Sequence, residues 1–180
     1  MQAAEALGMY AAGHIPYPVG LQQSLALGLD EIAHIEELLP ELVVFERYQG
    51  MRWQDWLPYI IDQAYLQLAL GPSFDGAAFV REHAGQMQEI VETLDAYATP
   101  VCTTLVIDQV ILQKLQDVEA FLAKPQTQYL PQDYLELLWA GRDKHQEHFQ
   151  GIELLAAQKA EIDLVLLEVL QNQGVLLVLG

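Results

Sequence analysis

Four short segments, most of them apolar, interrupt a chain that is otherwise patterned for helices. They cover residues 9–14, 30–34, 101–106 and 175–179. None shows the alternation of apolar and polar side chains that is typical of a strand with one solvated face. Short segments of this kind predict strands that are buried on both faces of a parallel sheet.

Helical periodicity fills the chain between these segments. A short helix is predicted over residues 21–27, and an amphipathic helix over residues 86–97. A long helix is predicted from about residue 147 to 171. The alternation of strand and helix predicts an α/β fold with parallel strands. Four parallel strands with their helices amount to half of a (β/α)₈ TIM barrel.

A helix-rich stretch follows the second predicted strand. We therefore interpret residues 1–180 as a single partial barrel domain with a helical insertion at about 40–86. Insertions after barrel strands often shape the mouth of the barrel. The side chains of Trp53, Trp56 and Tyr59 either line a substrate pocket there or anchor the inserted helices, and the sequence favours neither role.

Composition and charge limit the classes of partner that the chain could bind. The 25 acidic and 8 basic residues give a formal net charge of −17, which would repel phosphate backbones and anionic membrane surfaces. We therefore expect no nucleic-acid partner and no membrane partner. Residues 1–7 lack the features of a signal peptide, so we expect a soluble chain, with its compartment open. Hydrophobic residues make up 52% of the chain, which indicates a compact core or apolar surface meant for a partner.

Two histidines lie at the carboxyl ends of predicted strands, where parallel α/β folds have their functional residues. His14 and His34 each end a predicted strand, and the two strands belong to consecutive βα units. Functional groups gather at the carboxyl ends of such strands, so both imidazoles should reach the same mouth. Neutral imidazole is a good ligand for divalent zinc-like ions. The sequence therefore predicts a metal site that includes His14 and His34.

The residues around these histidines form a longer pattern. It comprises Gly-His-Ile-Pro at 13–16, Val-Gly-Leu at 19–21, Ser-Leu-Ala-Leu-Gly-Leu-Asp at 24–30, Glu-Ile-Ala-His-Ile-Glu-Glu at 31–37, Thr-Thr-Leu-Val at 103–106, Ala-Lys-Pro at 123–125, Tyr-Leu-Pro at 129–131, and residues 171–180. In this order and spacing the pattern resembles the metal-dependent amidohydrolase superfamily, in its imidazolonepropionase- and prolidase-like branch. The resemblance covers nearly the whole chain but only the C-terminal half of that family's barrel, about strands 5 to 8.

The resemblance implies an activity, and it implies that part of the family's active site lies outside this chain. His14 would be the metal ligand of the fifth strand and His34 that of the sixth, with a divalent metal, zinc being the expected ion. The implied reaction is hydrolysis of amide-like bonds in dipeptides, cyclic amides or related small molecules by a metal-activated water. The family's catalytic aspartate would lie beyond Gly180, so no catalytic residue is expected within the chain. We expect the isolated chain to be inactive and to associate with a missing barrel half or with itself.

Three alternatives stay open at this level. The chain is a non-enzymatic, mostly helical binding or assembly module if its short apolar segments belong to buried helices. It is one of two separately encoded halves if a second chain supplies the other strands. His145 and His148 share a helical face and form a possible metal pair, but their polar neighbours favour a solvated surface. Cys102, the single cysteine, is expected to be an inert buried thiol.

Overall fold

The four predicted strands form one parallel sheet. The computed structural model describes residues 6–43, 59 and 74–180. The strands are β1 (Ala12–Gly13), β2 (Glu31–Ile32), β3 (Val101–Cys102) and β4 (Leu177–Val178), and they lie side by side in chain order. All three pairings are parallel. The α/β class and the parallel arrangement are therefore confirmed, and the reading of these segments as helical is wrong.

Each strand is shorter than its predicted segment. The third segment was expected to run over residues 101–106, yet β3 ends at Cys102 and a helix begins at Val106. Between them Thr104 has a φ of 44°, a left-handed backbone conformation that cannot continue a strand. The chain thus leaves the sheet at Thr104, and the apolar residues that follow belong to a helix.

Helices account for most of the described chain. They are α1 (Leu21–Ala26), a 3₁₀ helix (Ile35–Leu38) that continues into α2 (Leu39–Leu42), α3 (Gly76–Glu82), α4 (Ala84–Tyr97), α5 (Val106–Gln116), α6 (Val118–Leu122), a second 3₁₀ helix (Pro125–Tyr129), α7 (Gln132–Trp139), α8 (Lys144–Phe149) and α9 (Glu153–Asn172). Within the described ranges, none of these helices is long and apolar enough to cross a membrane.

The core lies between the sheet and the helices α4 and α9. Ile32 of β2 and Val101 of β3 have no exposed surface. The apolar face predicted for α4 is buried and comprises Met87, Ile90, Val91 and Leu94. The long helix α9 buries the predicted positions Leu155, Ile162, Leu166 and Leu170. Helical periodicity therefore identified the core-facing side of both helices correctly.

The long helix predicted from residue 147 is in fact two helices. α8 begins earlier, at Lys144, and Asp143 caps it in a capping box with Gln146. The chain then turns at Gly151, whose φ of 79° is a conformation that glycine adopts without steric cost. The apolar periodicity continues across this turn, which is why the sequence alone joined the two helices.

The predicted insertion at about 40–86 is described only in part. Trp53 and Trp56 lie outside the described residues, so their role stays a prediction. The Tyr59 ring packs edge-on against the buried Tyr17, with ring centroids 5.7 Å apart. Since Tyr17 lies in the loop that follows β1, this contact ties Tyr59 to the sheet and supports an anchoring role for it.

Candidate metal centre

The structure brings the two predicted histidines together. His14 directly follows β1, and His34 lies two residues after β2, at the same edge of the parallel sheet. Their imidazole ring centroids are 4.8 Å apart, with the ring planes tilted by 43°. The expected juxtaposition of the two side chains is therefore present, while their binding of a metal stays a prediction.

A carboxylate holds His14. Nδ1 of His14 lies 2.5 Å from Oε1 of Glu37, which the first 3₁₀ helix carries. The His14 side chain is 64% exposed, whereas that of Glu37 is only 19% exposed. The hydrogen bond to Glu37 raises the pKa of His14 above its usual value, since it outweighs the opposing effect of partial burial. With Nδ1 engaged, Nε2 is the nitrogen that His14 can offer to a ligand.

A hydroxyl group holds His34. Nδ1 of His34 lies 2.9 Å from Oγ1 of Thr104, at the end of the neighbouring strand β3. Metal-binding histidines generally use one ring nitrogen for the metal and the other for a carboxylate, a carbonyl or water, which fixes the ring orientation. Each histidine of the pair thus has one ring nitrogen bound to protein in the manner of a metal ligand.

A buried charge cluster lies behind His34. Nζ of Lys159 is 2.5 Å from Oε2 of Glu36, 2.7 Å from Oδ1 of Asp108 and 2.7 Å from Oδ2 of Asp163. His34 and Thr104 line the same narrow crevice as the three carboxylate residues of this cluster, and the crevice has no room for a water molecule. The three carboxylates are grouped closely enough to ligate a cation, but the ammonium group of Lys159 already occupies that position. We therefore interpret the cluster as a structural ion-pair network and not as a metal site.

The network changes the ionisation of its acids. Burial raises the pKa of Asp163 to about 7, because the charge of Lys159 compensates only part of the desolvation. Burial also opposes ionisation of Glu36, but there the charge and hydrogen bond of Lys159 prevail and lower the pKa. Oδ1 of Asp163 is buried and has no hydrogen-bond partner among the described residues, so no hydrogen bond stabilises a negative charge on that oxygen.

The described residues contain no third acidic, histidine or cysteine ligand for the histidine pair. In the described part of the chain, Glu36, Asp108 and Asp163 form the only group of three such side chains with ligand atoms within 4.8 Å of one another. Catalytic zinc typically has three protein ligands. Within the described residues, the histidine pair is therefore one protein ligand short of that number.

The sequence did not reveal the buried lysines. Lys159 and Asp163 are four residues apart on a helix, a spacing typical of ion pairs, but such pairs are usually exposed. A second buried pair joins Lys114 and Asp143, with Nζ to Oδ2 at 3.3 Å. Among the basic residues that the structure describes, Lys114 and Lys159 are thus buried against acids, a placement for which the sequence holds no clear signal.

The expectation of a solvated face at His145 and His148 is wrong. His145 is half-buried, and its Nδ1 lies 3.3 Å from Nζ of Lys114. Burial and the charge of Lys114 lower the pKa of His145. Nδ1 of His148 is buried without a partner among the described residues. The polar neighbours suggested exposure because the buried Lys114–Asp143 pair beneath them is formed by residues distant in sequence.

Comparison with known proteins gave no match to a family model, to a curated protein or to a solved structure.

Proposed function

We propose that this chain forms part of a metal-dependent hydrolase that acts on amide-like bonds, and that His14 and His34 are two of its metal ligands. The observation that carries the proposal is the 4.8 Å separation of the two imidazole rings at the ends of adjacent parallel strands. Carboxyl edges of parallel strands are where α/β enzymes place their chemistry.

The sheet supports a finer proposal for the fold. Four parallel strands in chain order, joined by segments that contain helices, have the connectivity of consecutive units of a (β/α)₈ barrel. We assign them to strands 5 to 8, in keeping with the amidohydrolase resemblance. The remaining strands would come from another polypeptide segment, which would also supply the missing ligands and the catalytic base.

The chemistry of the two side chains suits a divalent ion such as zinc. Imidazole nitrogen is a preferred zinc ligand, and both rings have Nδ1 engaged by protein, so each offers Nε2. A metal ion bound there would supply an activated water and polarise the carbonyl group of the substrate. Glu37 orients the His14 ring and increases the basicity of its metal-binding nitrogen. Thr104 orients the His34 ring.

A partial ligand set has a consequence for the chain on its own. With two histidines and no third ligand of these types among the described residues, metal affinity should be weak and amide hydrolysis undetectable. Substrates would be small molecules such as dipeptides or cyclic amides, since the resemblance implies that class. Activity would require the complementary strands.

Zinc titration of the purified chain tests the proposal. We expect weak binding by the wild type and a loss of that binding in His14→Ala and His34→Ala. His83→Ala is the matched control, because His83 hydrogen-bonds the backbone of Phe79 at a different place in the fold. Unchanged zinc binding in both site variants would overturn the proposed ligands. Tight stoichiometric zinc and amide turnover by the 180-residue chain would overturn the partial-site proposal.

A further inference from the structure

Thr104 makes three contacts through a single hydroxyl oxygen. Oγ1 lies 2.9 Å from the carbonyl oxygen of Ala33, 2.9 Å from Nδ1 of His34 and 3.4 Å from Sγ of Cys102. A hydroxyl group has one proton to donate and two lone pairs with which to accept. The three neighbours therefore match the full hydrogen-bonding capacity of this oxygen.

The carbonyl group of Ala33 determines which atom donates in each of these hydrogen bonds. The oxygen of Ala33 can only accept, so the Thr104 hydroxyl must donate its one proton there. Toward His34 the same oxygen can then only accept, which requires a proton on Nδ1. If the hydroxyl instead donated to Nδ1, two oxygens 2.9 Å apart would face each other without a proton between them. The thiol of Cys102 completes the arrangement as the second donor.

The backbone at Thr104 is held in a conformation that this residue type rarely adopts. Its φ of 44° is left-handed, and a β-branched side chain is strained there. Strain of this kind persists where surrounding contacts enforce it. Here the strained turn places Oγ1 between the backbone of residue 33 and the ring of residue 34.

We infer that Thr104 is the positioning residue for His34: it holds the ring with its proton on Nδ1 and leaves the lone pair on Nε2. Thr104 acts through the imidazole and has no direct part in chemistry. The expected effect on metal binding rests on the proposed function. The tautomer of His34 does not, since it follows from the hydrogen bonds alone.

Nitrogen-15 NMR of the metal-free chain tests the tautomer directly. We expect the neutral form of His34 to carry its proton on Nδ1. Thr104→Val keeps the β-branched shape and removes the acceptor, so the proton should redistribute toward Nε2. Thr104→Ser keeps the hydroxyl and should retain the wild-type tautomer. Thr93→Val is the matched control, because its hydroxyl bonds only locally to the carbonyl oxygen of Glu89.

Zinc titration of the same variants adds the functional readout. Removal of a group that orients a metal-binding histidine typically reduces affinity by roughly 10- to 100-fold, which we expect for Thr104→Val. Thr104→Ser and Thr93→Val should bind zinc as the wild type does. A wild-type His34 protonated on Nε2, or a Thr104→Ser variant that behaves like Thr104→Val, would overturn the inference.

The two proposals fail in different ways. If His14→Ala and His34→Ala leave zinc affinity unchanged but the His34 tautomer still depends on Thr104, the proposed function fails and the positioning role stands. If both histidines bind zinc but the Thr104→Val spectrum is unchanged, the positioning role fails and the proposed function stands. Because the wild-type spectrum is itself a test, a variant that does not fold would not prevent a decision.

Discussion

Nζ of Lys159 lies 2.7 Å from Oδ2 of Asp163, one helical turn further along α9, and both side chains are buried. The same ammonium group binds Asp108 of α5 and Glu36 of the first 3₁₀ helix. One cation thus joins three elements of the fold. One of those elements also carries Glu37, the partner of His14, so the network supports the edge of the sheet where the histidines meet.

Replacement of Lys159 by methionine should be strongly destabilising. Removal of one partner from a buried ion pair typically costs about 3–5 kcal/mol, because the remaining charges lose their compensation. Here Glu36, Asp108 and Asp163 would be left together without their shared cation. Urea denaturation at pH 7 measures the loss, which should shrink below about pH 5 as the carboxyl groups become protonated. Lys144→Met on α8 is the control, because the exposed Lys144 should change stability by less than about 0.5 kcal/mol. Equal effects of the two substitutions would contradict the network's role.

Asp163 should make stability decrease as the pH rises toward 7. Its pKa is about 7 in the folded protein, against an ordinary value of 3.8, so the folded state binds more protons between these two values. The unfolding free energy therefore falls with pH in that window, by at most about 1.4 kcal/mol per pH unit from this group. An Asp163→Asn variant removes this titrating group and keeps its charged neighbours Asp108, Glu36 and Lys159. The pH profile of that variant should lack this downward slope, and identical profiles would refute the assignment.

The core of α9 provides a third prediction. Leu166 has no exposed surface, whereas Leu164 on the same helix is 57% exposed. Leu166→Ala removes buried methyl groups and leaves a cavity, so it should cost about 2–5 kcal/mol in chemical denaturation. Leu164→Ala, the matched control, should cost less than about 0.5 kcal/mol. Similar losses for both variants would mean that α9 does not face the core as described.

Local pattern predicted the sheet and the faces of α4 and α9 because short unalternating segments and helical periodicity are properties of neighbouring residues. It also placed His14 and His34 at strand ends, from which their proximity followed. The charge network and Thr104 were not predictable in this way. Lys159 is separated from Asp108 by 51 residues, and His34 from Thr104 by 70, so only the three-dimensional fold shows these contacts.

The hydrogen bond between His14 and Glu37 makes a prediction about ionisation. The 2.5 Å contact favours the protonated imidazole, so the pKa of His14 should lie above its ordinary value of 6.5. Glu37→Gln removes the negative charge and should lower the pKa of His14, while Glu89→Gln on the exposed side of α4 should leave it unchanged. Proton NMR titration of the histidine ring measures both. Since the folded pKa is raised, the contact contributes stability below the unfolded pKa and loses that contribution as the pH rises through the folded value. A His14 pKa that is the same in the wild type and in Glu37→Gln would show that the carboxylate does not hold the ring in solution.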